Sequence, residues 1–381
     1  MAAKFKYWLF GVFALILFLP MLQHKLQFIK SGKLQGIFTD APDTSFTLNG
    51  WWNGSYQPVK EKYLNDNTGF RPDLVRLTCQ LDFSFFDICH AGWDELGKDY
   101  HLFQYPYIQA YYGQDFVGYD SILQRCLKLR ALQDTFAKMC KSLIIVYAAS
   151  KASSYPEYFP NHRVRPKRDS TNHDVYRHLC DSLGINQLDM DEWFVSMKNK
   201  SKESLFSKQG IHWTYYGALL ASDSLMHYVE RLRHLTLTHP VWRRIEYAEP
   251  KEGDNDLSIS LNLIAKYPRE ILAYPVVEDL PADTSRKLLN GIFLGDSYCQ
   301  KMVTAGIISR MNRRCEFWSY FNSAHDINSG AFSMMKDYNW KAAIDSADYM
   351  VIEYTAFNFP QLGNGFIEQA YDHYFPKRSG K

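Results

Sequence analysis

The 381-residue chain reads as an α/β three-layer sandwich around a central parallel sheet, preceded by one transmembrane helix. Three observations predict this. Five short apolar runs, at 142–148, 185–188, 291–294, 315–320 and 349–354, are rich in β-branched and aromatic residues, as strands buried on both faces tend to be. Helical patterns separate them, and strands alternating with helices imply a parallel sheet covered on both sides. Ahead of everything lies an uncharged apolar run at 7–22, roughly one short membrane span in length.

Taken in order, the first element is that apolar run. Lys4 and Lys6 precede it and Gln23-His24-Lys25 follows, with no small-x-small cleavage site, so residues 1–30 read as an uncleaved signal anchor. Lys25, Lys30 and Lys33 offset Lys4 and Lys6, and charge does not decide the orientation. Residues 31–381 then read as one α/β domain, opening on a polar, aromatic-rich stretch to about 118. The first helical pattern, 119–141, places Ile122, Leu123, Cys126, Leu127, Leu132, Phe136 and Met139 near one face. Further helices are expected at 172–183, 214–232, 298–311, 340–347 and 365–374. Between about 235 and 283 the rhythm shortens around Pro240, Pro250, Pro268 and Pro275, which marks an inserted lobe.

Composition excludes one class of partner. A net charge of +2 with 22% charged residues, and no long basic run, leaves nothing to track a nucleic-acid backbone. Aromatics reach 16%, which suits either a large core or a sugar-facing surface, and composition alone favours the core. The seven cysteines (Cys79, Cys89, Cys126, Cys140, Cys180, Cys299, Cys315) form no CxxC pair and do not identify a compartment. No metal or soluble cofactor is indicated.

Two motifs carry chemistry. The strand at 291–294 runs into Gly295-Asp296-Ser297, and a helical pattern starts at Tyr298. Ligands in such sheets bind beyond the carboxyl ends of strands, and a helix amino terminus offers free N–H groups to developing negative charge. Ser297 is therefore a candidate nucleophile; a plain helix N-cap is the equally weighted alternative. Gly210-Ile211-His212-Trp213 lies just before the helix at 214–232. His212 is the matching base, against the plain reading of a surface His beside a packed Trp.

Together these motifs resemble the alginate O-acetyltransferase accessory family, the AlgX/AlgJ-like group with an SGNH hydrolase-like domain. In that family a His-Trp block precedes the Gly-Asp-Ser block, an order permuted relative to ordinary SGNH enzymes. The resemblance extends to Asn67-Thr68-Gly69-Phe70-Arg71, to Gly97-Lys98-Asp99-Tyr100-His101-Leu102-Phe103, and to Ala149-Ser150-Lys151 followed by Tyr155-Pro156. In the second segment Tyr100 and His101 stand where the family has Gly and Trp. Asp254-Asn255-Asp256-Leu257 is similar to a Gly-Asp-Leu segment of the family and lacks calcium-loop spacing.

The main departure is Gly210. The family pattern is Asp-x-His-Trp, whose Asp orients the imidazole, and loss of that carboxylate typically costs about four orders of magnitude in rate. Asp189, Asp191 and Glu353, all near strand ends, are candidate substitutes; a Ser–His dyad or an inactive site are the other outcomes. Asn322 is a candidate oxyanion donor, with a turn role as the alternative. Trp213, Tyr216, Tyr155 and Lys151 are candidates for a sugar groove, with core packing as the competing reading. The resemblance implies a membrane-anchored serine O-acyltransferase in the periplasm, at the outer face of a bacterial inner membrane. It would acetylate an exported polysaccharide through acyl-Ser297, supplied by a multi-span membrane O-acyltransferase partner. A carbohydrate esterase is the first alternative. A non-catalytic polysaccharide-binding scaffold is the second.

Overall fold

The computed structural model describes residues 2–36, 41–163, 166–251, 253–278 and 287–376. They fall into two compact units, one formed by residues 1–92 with 258–267 and the other by 93–257 with 268–381.

The first unit opens with the apolar helix Ala2–Leu26. Its segment Lys4–Leu26 has a mean hydropathy of 1.9 and is long enough to cross a bilayer, at about 1.5 Å per residue. The helices Tyr56–Asn67 and Arg71–Phe86 follow, and Arg71 pairs with Asp66 at 3.2 Å. Residues 258–267 join this unit through the Ala265 amide on Gln80 Oε1 (2.8 Å) and the rings of Phe83 and Tyr267 (5.9 Å).

The second unit holds the sheet. Its strands are β1 (Ser142–Tyr147), β2 (Gln187–Asp189), β3 (Leu289–Gly295), β4 (Asn312–Ser319), β5 (Ser323–Asp326), β6 (Phe332–Met334) and β7 (Tyr349–Tyr354). The order across the sheet is β6-β5-β4-β3-β7-β1-β2. The five strands from β4 to β2 run parallel, and β5 and β6 extend the edge antiparallel. Every residue of β7 is buried, and β1 is buried from Leu143 onward, so continuous apolar runs can only be internal strands. All five expected strands form, within a few residues of the expected ends. The polar edge strands β5 and β6 went unforeseen because neither carries a continuous apolar run.

Helices cover both faces. On one, Tyr119–Lys138, Asn172–Ser182, Trp340–Ser346 and Phe366–Tyr374 pack Leu132, Phe136, Tyr176 and Phe366 onto Ile145, Leu294 and Ile352. Each fully buried aliphatic or aromatic side chain there is worth about 1.5–3 kcal/mol. On the other, Ser297–Thr304 and Ile307–Met311 lie against the sheet, and Tyr215–Arg233 packs on them. Ser222 of that helix donates to the Met302 carbonyl at 2.9 Å. The single helix expected at 298–311 is broken, because Gly306 adopts φ +104° and a helix cannot continue through the left-handed region. Within 235–283, Trp242–Ala248 and Leu272–Val277 pair antiparallel.

Candidate active site

Parallel strands deliver their carboxyl ends to one edge, and Ser297 follows β3 near the middle of the sheet. The Asp296 side chain caps the helix Ser297–Thr304, accepting from the Tyr298 amide at 3.0 Å. Its other oxygen accepts from the Thr355 amide (2.9 Å), the Thr355 hydroxyl (2.8 Å) and the Asn358 amide (2.8 Å). With four donors taken up in this way, Asp296 is a structural clamp between β3 and β7 and leaves the hydroxyl of Ser297 unencumbered. Ser297 is half-buried.

His212 arrives from a loop held at both ends. Downstream, Thr214 caps the helix Tyr215–Arg233 and its amide donates to the Leu205 carbonyl at 2.8 Å. Upstream, Lys151 is fully buried and donates to the carbonyls of Leu102 (2.7 Å), Lys208 (3.1 Å) and Gly210 (2.9 Å). Between them the buried phenol of Tyr298 donates to the Ile211 carbonyl at 2.5 Å. One hydrogen bond thus ties the neighbour of Ser297 to the neighbour of His212. The outcome is His212 Nε2 at 2.8 Å from Ser297 Oγ.

The far nitrogen of the ring meets a carboxylate that was not among the expected acids. Asp256 Oδ2 lies 2.8 Å from His212 Nδ1. The contact is close, with the N–H direction short of a well-aligned hydrogen bond, a looseness common in substrate-free sites. Asp256 Oδ1 accepts from the Ile211 amide at 3.1 Å. Burial opposes its charge, but the His212 contact, the Ile211 amide and Lys301 outweigh burial and hold the carboxyl below its ordinary range. The segment is fastened by Asp254, which is buried, bonded to Tyr274 at 2.8 Å and paired with Lys301 of the Ser297 helix at 2.5 Å.

Gly210 explains why the family acid is missing here. A Cβ at 210 would lie 2.6 Å from the Asp254 carbonyl oxygen and 3.0 Å from Asp256 Oδ1. The room an Asp at 210 needs is already occupied by the chain that supplies Asp256.

The expected acids lie elsewhere. Asp189 caps the helix Met190–Met197 and sits 3.1 Å from His173. Asp191 accepts from the Ser150 amide at 2.6 Å. Glu353 is fully buried beside the Cys299 thiol, and burial with the charge of Asp296 pushes its carboxyl well above the ordinary range. Asn322 is exposed in the turn between β4 and β5. Two residues earlier, the Tyr320 amide donates to the Gly295 carbonyl at 2.9 Å, and its phenol lies close to Ser297. Tyr320 closes the apolar run expected at 315–320, but the strand ends at Ser319 and leaves it just past β4.

The groove candidates divide. Trp213 is fully buried against Phe194 and Tyr298, and Lys151 is enclosed by carbonyls; neither faces solvent, because each holds the His212 loop from inside. Tyr216 is half-buried. Tyr155, also half-buried, packs among His101, Tyr158 and Phe206. His101, in the place of the family Trp, stacks on Tyr158 at 4.1 Å. Burial, with Lys151 and Lys208 nearby, pushes its imidazole down to about 3, so it serves as a neutral aromatic plate.

The family described as an SGNH hydrolase-like domain, acetyltransferase AlgX, matches residues 96–289, just over half of the chain. The match includes His212 and Asp256 and ends before Ser297. Among solved structures, the chain is similar to the O-acetyltransferase domain of Pseudomonas putida AlgJ, with 18% identity and TM-score 0.48, covering 74% of this chain and 99% of that one. It is also similar to Bacillus cereus PatB1 (11% identity, TM-score 0.44, 64% and 91% covered). For Pseudomonas aeruginosa AlgX the values are 12% identity, TM-score 0.43, and 72% and 67% covered. No curated protein matches the sequence.

Two outcomes follow. Gly210→Asp, which restores the family pattern, is expected to destabilise the protein by about 1–3 kcal/mol through overpacking; urea denaturation matching the parent would mean that the 254–256 segment does not pack there. For Lys151, burial pulls the ammonium down to about 7 against Glu270, Asp256 and Asp94. The unfolded chain holds that proton up to the ordinary lysine range, so folded stability rises with pH from about 7 upward. Lys151→Met is expected to abolish that rise and to cost about 3 kcal/mol by stranding buried carbonyls, both read from urea midpoints across pH.

Proposed function

Because this chain belongs to the AlgX family of SGNH hydrolase-like domains, we propose that it is a serine acyltransferase that O-acetylates a polysaccharide. The observation that supports this most is the line Ser297–His212–Asp256, with contacts of 2.8 Å on both sides of the imidazole. That arrangement is what an activated serine needs.

The reaction runs in two halves. His212 Nε2 takes the Ser297 proton while Oγ attacks the carbonyl of an acyl donor. The tetrahedral intermediate collapses, the donor's leaving group departs with the proton from His212, and an ester on Ser297 remains. A sugar hydroxyl then attacks that ester, giving its proton to His212; the acyl group moves to the sugar and Ser297 recovers the proton. If water attacks instead, the same residues perform ester hydrolysis. Asp256 orients the imidazole and balances its transient positive charge. The Ser297 amide, at the head of its helix, is the oxyanion donor.

On this reading the helix Ala2–Leu26 is a single-pass anchor. It holds the domain at the periplasmic face of a bacterial inner membrane, where a multi-span O-acyltransferase supplies the acyl group.

Exposure of the protein to p-nitrophenyl acetate, followed by intact mass, tests the first half. A gain of one acetyl group mapping to Ser297 is expected, with acylation at least about a thousandfold slower in Ser297→Ala and His212→Ala. Equal, slow acetylation in all three proteins would defeat the catalytic reading and favour a polysaccharide-binding scaffold.

A further inference from the structure

The helix Tyr215–Arg233 carries a second cluster of ionisable side chains. Asp223, His227 and Glu230 stand at i, i+4 and i+7 and therefore share a face. The chain leaves the helix through His234 in the left-handed region (φ 51°) and returns to lay His239 on that face. The Leu237 amide on Glu230 Oε1, at 2.5 Å, holds the return in place.

The four side chains are arranged around two imidazoles. The rings of His227 and His239 lie nearly parallel, with centroids 3.9 Å apart and 16° between planes. One nitrogen of each faces Asp223: His239 Nδ1 at 2.8 Å and His227 Nε2 at 3.7 Å. The other nitrogen of each faces Glu230: His227 Nδ1 at 2.8 Å and His239 Nε2 at 3.1 Å. Protons and a metal ion compete for this arrangement. Charging both rings would bring two like charges into contact. Leaving both neutral gives two N–H groups to share between two carboxylates. One divalent cation on the Asp223 side resolves it, taking a lone pair from each ring and one carboxylate oxygen. On the opposite side Glu230 hydrogen-bonds His227 Nδ1 at 2.8 Å and touches His239 Nε2 at 3.1 Å without an aligned hydrogen bond; metal-bound histidines are commonly held by such a carboxylate partner.

Dimensions and donor chemistry agree. Tetrahedral zinc with bonds of about 2.0–2.2 Å sets its ligands roughly 3.4 Å apart, and one donor atom from each of Asp223, His227 and His239 can be chosen with all within 4.8 Å of one another. The stacked rings do not aim two lone pairs at one point as they stand; rotation of the His227 ring, whose side chain is 49% exposed, turns its Nε2 toward the ion. Two imidazoles with one carboxylate suit zinc-type ions over magnesium or calcium, which take oxygen donors. The His227 side chain is 49% exposed, which leaves an entry path, while those of His239 and Glu230 are 15% and 14% exposed.

We propose that Asp223, His227 and His239 bind one divalent transition-metal ion of the zinc type, with Glu230 as the carboxylate partner on the far side of both imidazoles. The site is structural. His227 lies about 18 Å along the helix from Tyr215, away from the end next to His212. The ion fastens that helix to the 235–240 return.

The test uses the full chain in detergent, stripped with a chelator and titrated with Zn²⁺ against a chromogenic competitor, with Mg²⁺ and Ca²⁺ alongside. One equivalent of Zn²⁺ is expected to bind and to raise the melting temperature, with no response to Mg²⁺ or Ca²⁺. Affinity should fall about 10–100-fold in Glu230→Gln and further in His227→Ala and His239→Ala. His227 is half-exposed, so its variant keeps the fold, and a parent-like far-UV spectrum separates lost ligation from unfolding. A parent that binds no Zn²⁺, or a folded His227→Ala that binds it as tightly as the parent, overturns the proposal.

Discussion

A carboxylate lies against the outer nitrogen of His212, brought there by backbone packing from more than forty residues downstream. The contact depends on glycine at 210, where the carbonyl of Asp254 comes too close for any Cβ. Everything nearby serves that approach. Lys301 reaches from the Ser297 helix to buried Asp254, Tyr298 reaches from the same helix to the Ile211 carbonyl, and Lys151 holds the Gly210 carbonyl from below. Breaking one side of the buried Asp254–Lys301 pair would cost about 3–5 kcal/mol. The same break would release the segment that carries Asp256.

Three carboxylates close to Ser297 take three different roles because their surroundings differ. Asp296 is surrounded by four donors and works as a cap and clamp. Asp256 is held charged by His212, the Ile211 amide and Lys301 in spite of burial. At Glu353 burial and the charge of Asp296 outweigh the Cys299 thiol and push the carboxyl well above its ordinary range. A strand-end position is therefore a poor guide to which acid serves a histidine; the partners around each carboxylate decide it.

The sheet was legible in the sequence because strands buried on both faces have no choice but to be apolar, as β1 and β7 are. Ser297 and His212 were legible because each sits where a strand ends or a helix begins. Asp256 was not, since nothing in its local pattern records that residues 254–256 fold against Gly210. The sequence holds a trace of it: Gly210 stands where the family has Asp, and Asp254-Asn255-Asp256-Leu257 is similar to a family segment. Lys151 misled for the opposite reason. A lysine after a strand suggests a groove, and its burial among three carbonyls is visible only in three dimensions. The cluster at Asp223 escaped because its fourth member, His239, joins from beyond the helix end.

The most direct test of the relocated acid is a double-mutant cycle of His212→Ala and Asp256→Asn, read as the rate of Ser297 acylation. If Asp256 acts by orienting His212, Asp256→Asn slows the parent by about 10³–10⁴-fold and changes nothing once His212 is alanine. A comparable loss in both backgrounds, or none in the parent, would contradict the account and return the search for the third residue to other acids.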